Sequence, residues 1–153
     1  MLEINNTTTE KINFSQLLSI ADKFARAYKM KGNISLAIVG SARLRSLNRS
    51  YRGIDKETDV LSFTEENEIV INIADTKKPR KYEAMFLEVG LDIGLMKSAA
   101  AKKRLAEYLL YFLFVHGLLH LAGYDDEAEA GRLEMIQKGR DFLKKIGLDL
   151  FSK

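Results

Sequence analysis

The only two histidines of the chain, His116 and His120, stand four residues apart inside the stretch FVHGLLHLAGYDDEAEA. On a helix, residues i and i+4 share a face, with Cβ atoms roughly 5–6 Å apart. Two imidazoles so placed can both reach one metal ion at about 2.0–2.1 Å. The competing reading is a pair of histidines satisfied by hydrogen bonds in or near the core. Three features bear on the choice. Both rings fall on one face, the helix pattern stops just after them at Gly123, and an acidic cluster of Asp125, Asp126, Glu127 and Glu129 follows. A turn after the helix can fold one of these carboxylates back as a third ligand. Spacing alone leaves the metal site and the core pair both open. It does disfavour a His-Glu-x-x-His protease, whose general base is the glutamate beside the first histidine. Here that position is Gly117, which instead lets a substrate or another backbone approach the helix.

Other polar residues have a bland and a chemical reading. Arg45, Arg49 and Arg52 recur at helical spacing. Such a stripe is either a solvated face or a surface that tracks phosphates. Lys77, Lys78, Arg80 and Lys81 form a second basic group, read as a solvated loop first and a nucleic-acid contact second. Ser62 lies in an apolar strand pattern and lines a cleft or merely faces inward. Asp59 caps or braces the turn before that strand. Tyr111, Phe112 and Phe114 fall within the most apolar helix and belong to the core.

The elements that must position these residues are legible in outline. LEIN at the start reads as a strand. Phe14, Leu17, Leu18, Ala21, Phe24, Ala25 and Tyr28 repeat at three-four spacing up to Gly32, which makes an amphipathic helix. ISLAIV (34–39) is a buried strand. SARLRSLNRSYRG is a short helix with Ser41 as its N-cap. DVLSF (59–63) and EIVINI (68–73) are strands. In FLEVGLDIGL, Leu87, Val89, Leu91, Ile93 and Leu95 alternate, which predicts another strand. A long helix over 98–121, apolar all round in its second half, is predicted to be buried, and a last helix covers 126–146. The expected fold is a single α+β domain: a mixed sheet of four to five strands packed with helices, the His-x-x-x-His helix central.

Composition agrees. A chain of 153 residues, 46% hydrophobic and 29% charged, suits one soluble globular domain. The absence of cysteine excludes disulfides and thiolate metal sites and points to the cytoplasm. The N-terminus has no basic-then-apolar leader, and the longest apolar run, LLYFLFV, is too short to span a bilayer. A net charge of +3 and an isoelectric point near 9.0 are compatible with an anionic partner without demanding one.

Two segments together resemble one known family. The string His116-Gly-Leu-Leu-His120-Leu-Ala-Gly-Tyr-Asp125 is similar to the signature of the YbeY-type rRNA maturation factors, bacterial single-domain metal-dependent endoribonucleases. LNRSYRGIDKETDVLSF (47–63) resembles that family's other hallmark. The resemblance implies a metal site of His116, His120 and the residue after Asp125, where the family carries a third histidine and this chain carries Asp126. Carboxylate is an acceptable zinc ligand, and two histidines with a carboxylate also suit ferrous iron. Asp125 and Glu127 are fallback ligands. Thr64 stands where the family has proline. For the family's edge strand next to the metal helix, LDIGL (91–95) is preferred over NEIVIN (67–72), which would make 65–85 an inserted strand and basic loop.

The same resemblance implies function. It assigns His116 and Arg52 to catalysis, with Arg52 gripping a phosphodiester through two parallel hydrogen bonds; the helical stripe and the strand position add Ser62, Arg49 and Arg45 as candidate substrate contacts. It implies one zinc ion, single-stranded RNA as substrate, and a role in 16S rRNA 3′-end maturation and ribosome quality control. The small ribosomal subunit and its proteins are the implied partners, with no membrane and no DNA. The rival class is a non-catalytic, ribosome-associated or structural metal-binding protein in which Asp126 marks a degenerate site.

Overall fold

In the computed structural model, which describes residues 1–151, strands and helices alternate from the first residues. Strand β1 (Leu2–Asn6) leads to helix α1 (Phe14–Tyr28), strand β2 (Ile34–Val39) and helix α2 (Ser41–Arg52). The hairpin of β3 (Val60–Phe63) and β4 (Glu68–Asn72) follows. A short helix α3 (Glu83–Leu87), the long helix α4 (Ala99–Leu121) and the final helix α5 (Glu129–Lys145) complete the chain. The sheet order is β1-β2-β4-β3. β1 and β4 both run parallel to β2, and β3 runs antiparallel to β4 at one edge. The expected mixed α+β architecture is therefore present, with four strands where four to five were expected.

Alternation along the strands sorts the core into two layers. Leu36, Ile38, Ile69 and Ile71 face the main core, where Leu109, Phe112, Phe114 and Leu118 of α4 join Leu17, Ile20 and Phe24 of α1. Val39, Leu61 and Val70 face the other way and pack with Leu44 of α2 in a smaller cluster. From Tyr108 on, helix α4 is buried on nearly every side because α1, α5 and the sheet surround it. Tyr111, Phe112 and Phe114 are buried in it, as expected. Gly117, also buried, has a packing reason. A Cβ there would stand 2.8 Å from Cγ2 of Ile69. What approaches the helix at this glycine is the sheet, not a substrate, and a glutamate could not occupy the position.

The strand predicted across 87–95 does not form. Residues 83–87 are helical and Ile93–Leu95 make one 3₁₀ turn, so LDIGL is no counterpart of an edge strand. EIVIN is a strand, hydrogen-bonded between β2 and β3, rather than an insertion. The alternating residues do not share an environment: Leu91 and Ile93 are buried, whereas Leu87 is 56% and Leu95 69% exposed. Gly90 turns the chain with φ +79°, and Asp92 caps the following turn by accepting from Gly94 N at 3.1 Å. Period-two apolar spacing here came from short turns that bury every second residue only in part.

Three smaller expectations also change. Gly40 is the N-cap of α2, and Ser41 begins the helix while its Oγ accepts from Asn72 Nδ2 at 3.0 Å. The last helix begins at Glu129, which leaves Asp126 in a loop. The basic loop winds into two 3₁₀ turns, Ile73–Lys77 and Pro79–Tyr82. Its lysines are largely committed. Lys77 pairs with Glu10, and Lys81 and Lys78 reach the fully buried carboxylate of Asp75 at 2.9 and 3.7 Å. Burying a carboxylate is costly unless cations accompany it, so these lysines have a structural task.

Candidate metal centre and its cleft

His116 and His120 lie on the last two turns of α4, with ring centroids 4.8 Å apart and planes at 84°. Beyond them Gly123 adopts φ +103°, a conformation that glycine reaches without strain. Tyr124 N then bonds back to Leu119 O at 3.0 Å. This reversal returns residues 124–127 to the face that carries the histidines. The loop is seated against α5, where Gly131 leaves room for the Asp125 carbonyl: a Cβ at Gly131 would meet that oxygen at 2.5 Å. Asp125 accepts from Glu127 N at 2.7 Å and so shapes the turn. Its side chain is thereby occupied, and Asp126 is the carboxylate that points inward.

The Oδ2 atom of Asp126 lies 3.2 Å from His116 Nε2 and 3.4 Å from His120 Nε2. Ligand atoms held tetrahedrally at about 2.0–2.1 Å from one ion stand about 3.3–3.4 Å from each other. The two measured separations fit that spacing, and His116, His120 and Asp126 offer donors that all lie within 4.8 Å of one another. The tautomers fit as well. His120 Nδ1 is 3.1 Å from the Tyr124 carbonyl, which can only accept, so Nδ1 carries the proton and Nε2 keeps its lone pair. Nδ1 of His116 is buried without a partner, while its Nε2 faces the carboxylate. The residues present therefore fit a divalent ion. In the bare cluster, the hydrogen bond from His116 holds the Asp126 carboxyl down at about 2, helped by the charges of both rings and opposed by partial burial.

These three residues line one wall of a cleft of about 810 Å³. The lining also includes Arg52 from the end of α2, Asp59 from the turn before β3, and Ser62 and Phe63 from β3. Asn48 braces the turn between these elements by donating to Lys56 O at 2.9 Å. Ser62 pairs across the hairpin with Ile69 and so faces α4. Its Oγ is buried with no partner. Asp59 accepts from the Tyr82 hydroxyl at 2.9 Å, a contact with the 3₁₀ segment rather than with the turn before its own strand. Burial and that carboxylate push the Tyr82 phenol well above its ordinary value, which keeps it a donor. Arg52 has no ion-pair partner among the described residues. Arg45, by contrast, forks onto Asp55 at 2.8 and 3.2 Å, and Arg49 approaches the same carboxylate at 3.9 Å. The structure thus brings Arg52 and Ser62 to the histidines and leaves Arg45 and Arg49 outside the cleft lining. Tyr51 and Phe63, also lining it, were not singled out as site residues, although both fall within the hallmark segment 47–63.

Fold and site together define a class: a small α+β protein whose central helix and following loop build a His-His-Asp centre able to hold a metal, open to a cleft with a free arginine. Comparison with known proteins is more specific. Residues 2–147 match the family described as Endoribonuclease YbeY, and the chain belongs to that family. A relative from Geobacillus sp. (strain WCH70), named Endoribonuclease YbeY, is 33% identical, covering 95% of this chain and 93% of its own length. One of the same name from Sulfurovum sp. (strain NBC37-1) is 32% identical over 97% and 92%. The solution structure of TM1509 from Thermotoga maritima matches with a TM-score of 0.59 at 20% identity, over 95% of this chain and 89% of that one, and shares the fold.

Proposed function

We propose that this chain is a metal-dependent endoribonuclease that cuts single-stranded RNA. His116, His120 and Asp126 hold one divalent ion, zinc by preference, with ferrous iron the second ion that two imidazoles and a carboxylate accept. When bound, such an ion supplies Lewis acidity toward a phosphoryl oxygen and lowers the pKa of water. Arg52, in the cleft lining and without an internal partner, grips the scissile phosphate through its planar fork and stabilises the charge that builds on it. Ser62 lines the cleft wall with Arg52, its Oγ turned inward and buried. Arg45 and Arg49, held by Asp55, stabilise the turn behind Arg52. The substrate is ribosomal RNA, processed at the 3′ end of the 16S species in association with the small ribosomal subunit, in the cytoplasm. Membership of the endoribonuclease family supports this reading. Among the described residues no helix is long and apolar enough to cross a membrane.

The observation that carries the proposal is the approach of Asp126 Oδ2 to both imidazole Nε2 atoms within the cleft that Arg52 enters. Its test joins two measurements. Elemental analysis of protein purified without added metal is expected to find one ion per chain. Cleavage of an unstructured RNA is expected to be abolished by His116→Ala, cut at least 100-fold by Arg52→Ala, and retained by Asp126→His, which keeps a donor in place. A wild type that holds metal but cleaves no better than His116→Ala and Arg52→Ala overturns the assignment in favour of a structural metal protein.

A further inference from the structure

Tyr51 is 69% exposed at the end of α2, immediately before Arg52. Its ring meets that of Phe63 edge-on, with centroids 5.2 Å apart and planes at 64°. Phe63 ends β3, the open edge of the sheet. The core does not need the Tyr51 ring, and its hydroxyl has no partner among the described residues. Yet these two aromatics line both the metal cleft and a second cavity of about 380 Å³ on the α2 face of the sheet. They form the ridge between the two. The second cavity has an apolar floor from Val39, Leu47 and Val70, with Arg43, Glu66 and Glu68 around it.

We propose that the Tyr51–Phe63 ridge and the cavity behind it bind one unpaired nucleobase of the RNA whose phosphate lies on Arg52. The proposal rests on the reading of the cleft as a ribonuclease site. The chemistry of the second cavity says which part of a nucleotide enters it. The two carboxylates outnumber Arg43 and so disfavour a phosphate, while they accept hydrogen bonds from the amino groups of bases. An apolar floor and an aromatic wall suit the face of a base and not a sugar-phosphate chain. Only an unpaired base can turn its face to such a wall, because pairing and stacking in a helix leave edges alone exposed. The ridge therefore makes the enzyme choose single strands: a duplex can offer Arg52 a phosphate but cannot offer Tyr51 a base.

The test uses the metal-loaded protein and a labelled single-stranded oligoribonucleotide. Anisotropy is read on ice before cleavage proceeds, and cleavage rates are measured in parallel. Abasic sites are walked along the strand one position at a time. Tyr51→Ala is expected to weaken binding roughly 5- to 150-fold, the range for loss of one stacked base, while Tyr51→Phe stays near wild type. One abasic position is expected to weaken the wild type to the same degree and to cost Tyr51→Ala nothing further. Melting temperatures of the exposed-site variants should match wild type, which separates recognition from folding. If Tyr51→Ala binds like wild type, or if every abasic loss adds in full to that of Tyr51→Ala, there is no nucleobase site. Should Arg52→Ala still weaken binding in that event, the ribonuclease reading survives without it. If Arg52→Ala and wild type both bind duplex and single strand equally, both fall together.

Discussion

The Asp126 carboxylate shares one oxygen between two imidazole nitrogens, and that sharing has consequences for the bare and the loaded protein. With an ion bound, Asp126 is one of three donors. Loss of an outer-shell partner typically costs about 10- to 100-fold in metal affinity, so Asp126→Ala is expected to cost more than 100-fold by isothermal titration, and Asp126→His much less. In the bare protein the folded carboxyl sits at about 2, below its ordinary value near 4. A lowered folded value stabilises the fold above the unfolded pKa and ceases to do so as pH falls through the folded one. Chelator-treated wild type should therefore lose its advantage over Asp126→Asn between about pH 4 and pH 2. Parallel urea midpoints for the two proteins across that window would contradict the assignment. Because Asp126 is 37% exposed, solvent screening keeps the effect modest. Most of this site was readable from types and spacing. His116 and His120 announce themselves at i and i+4, and the acids follow the glycine. Which acid turns inward was not readable from spacing, because that depends on Asp125 being consumed by the Glu127 amide, and only the family resemblance singled out Asp126. Nor was the fate of Arg45 and Arg49, since a stripe on a helix does not reveal that Asp55 will fold back onto it.

At the scale of elements, the site depends on two close approaches that only glycine permits. Helix α4 meets β4 at Gly117, where an added methyl would press on the branched, fully buried Ile69. Alanine there gains up to about 1 kcal/mol of helix propensity but overpacks the core at about 1–3 kcal/mol. The clash should win, with a fall in melting temperature of several degrees. An unchanged or raised value would mean that α4 and the sheet slide apart freely. Gly131→Ala acts elsewhere. It displaces the Asp125 carbonyl and with it the loop bearing Asp126, so metal affinity is expected to drop at least tenfold while α4 and the sheet keep their stability. These couplings explain why the pattern along 98–121 was legible and that along 87–95 was not. A helix enclosed on all sides must be apolar on all sides, whatever encloses it. Short turns bury residues according to neighbours distant in sequence. Phe86 lies under Phe112 with rings 4.8 Å apart, and no local period encodes that contact.

For the molecule as a whole, a net charge of +3 conceals how few cations are available at the cleft. Arg45 and Arg49 serve Asp55, Lys77 serves Glu10, Lys78 and Lys81 serve the buried Asp75, and Arg132 joins Glu88 to Glu129. Both basic groups visible in the sequence are thus spent largely on holding the fold, and Arg52 is the cation of the cleft lining that the proposed function leaves to meet the substrate, with whatever charge a bound metal adds. Recognition by a protein built this way should depend on contacts with bases and on the metal more than on a broad positive field. Each phosphate neutralised on a single strand contributes about −0.7 to the slope of log affinity against log salt concentration. One or two phosphates then predict a slope of about −0.7 to −1.4 for single-stranded RNA, flattened by about 0.7 in Arg52→Ala and unchanged in Lys77→Ala. The measurement is a salt titration of binding for the three proteins. A wild-type slope of about −4 or steeper would mean that cations outside the cleft lining contact the RNA, and the paired lysines can be among them only if they leave their carboxylates. In that case Lys81→Ala, which leaves the buried Asp75 carboxylate facing only the more distant Lys78, would weaken RNA binding as well as lower the melting temperature, whereas the pairing described here predicts the loss of stability alone.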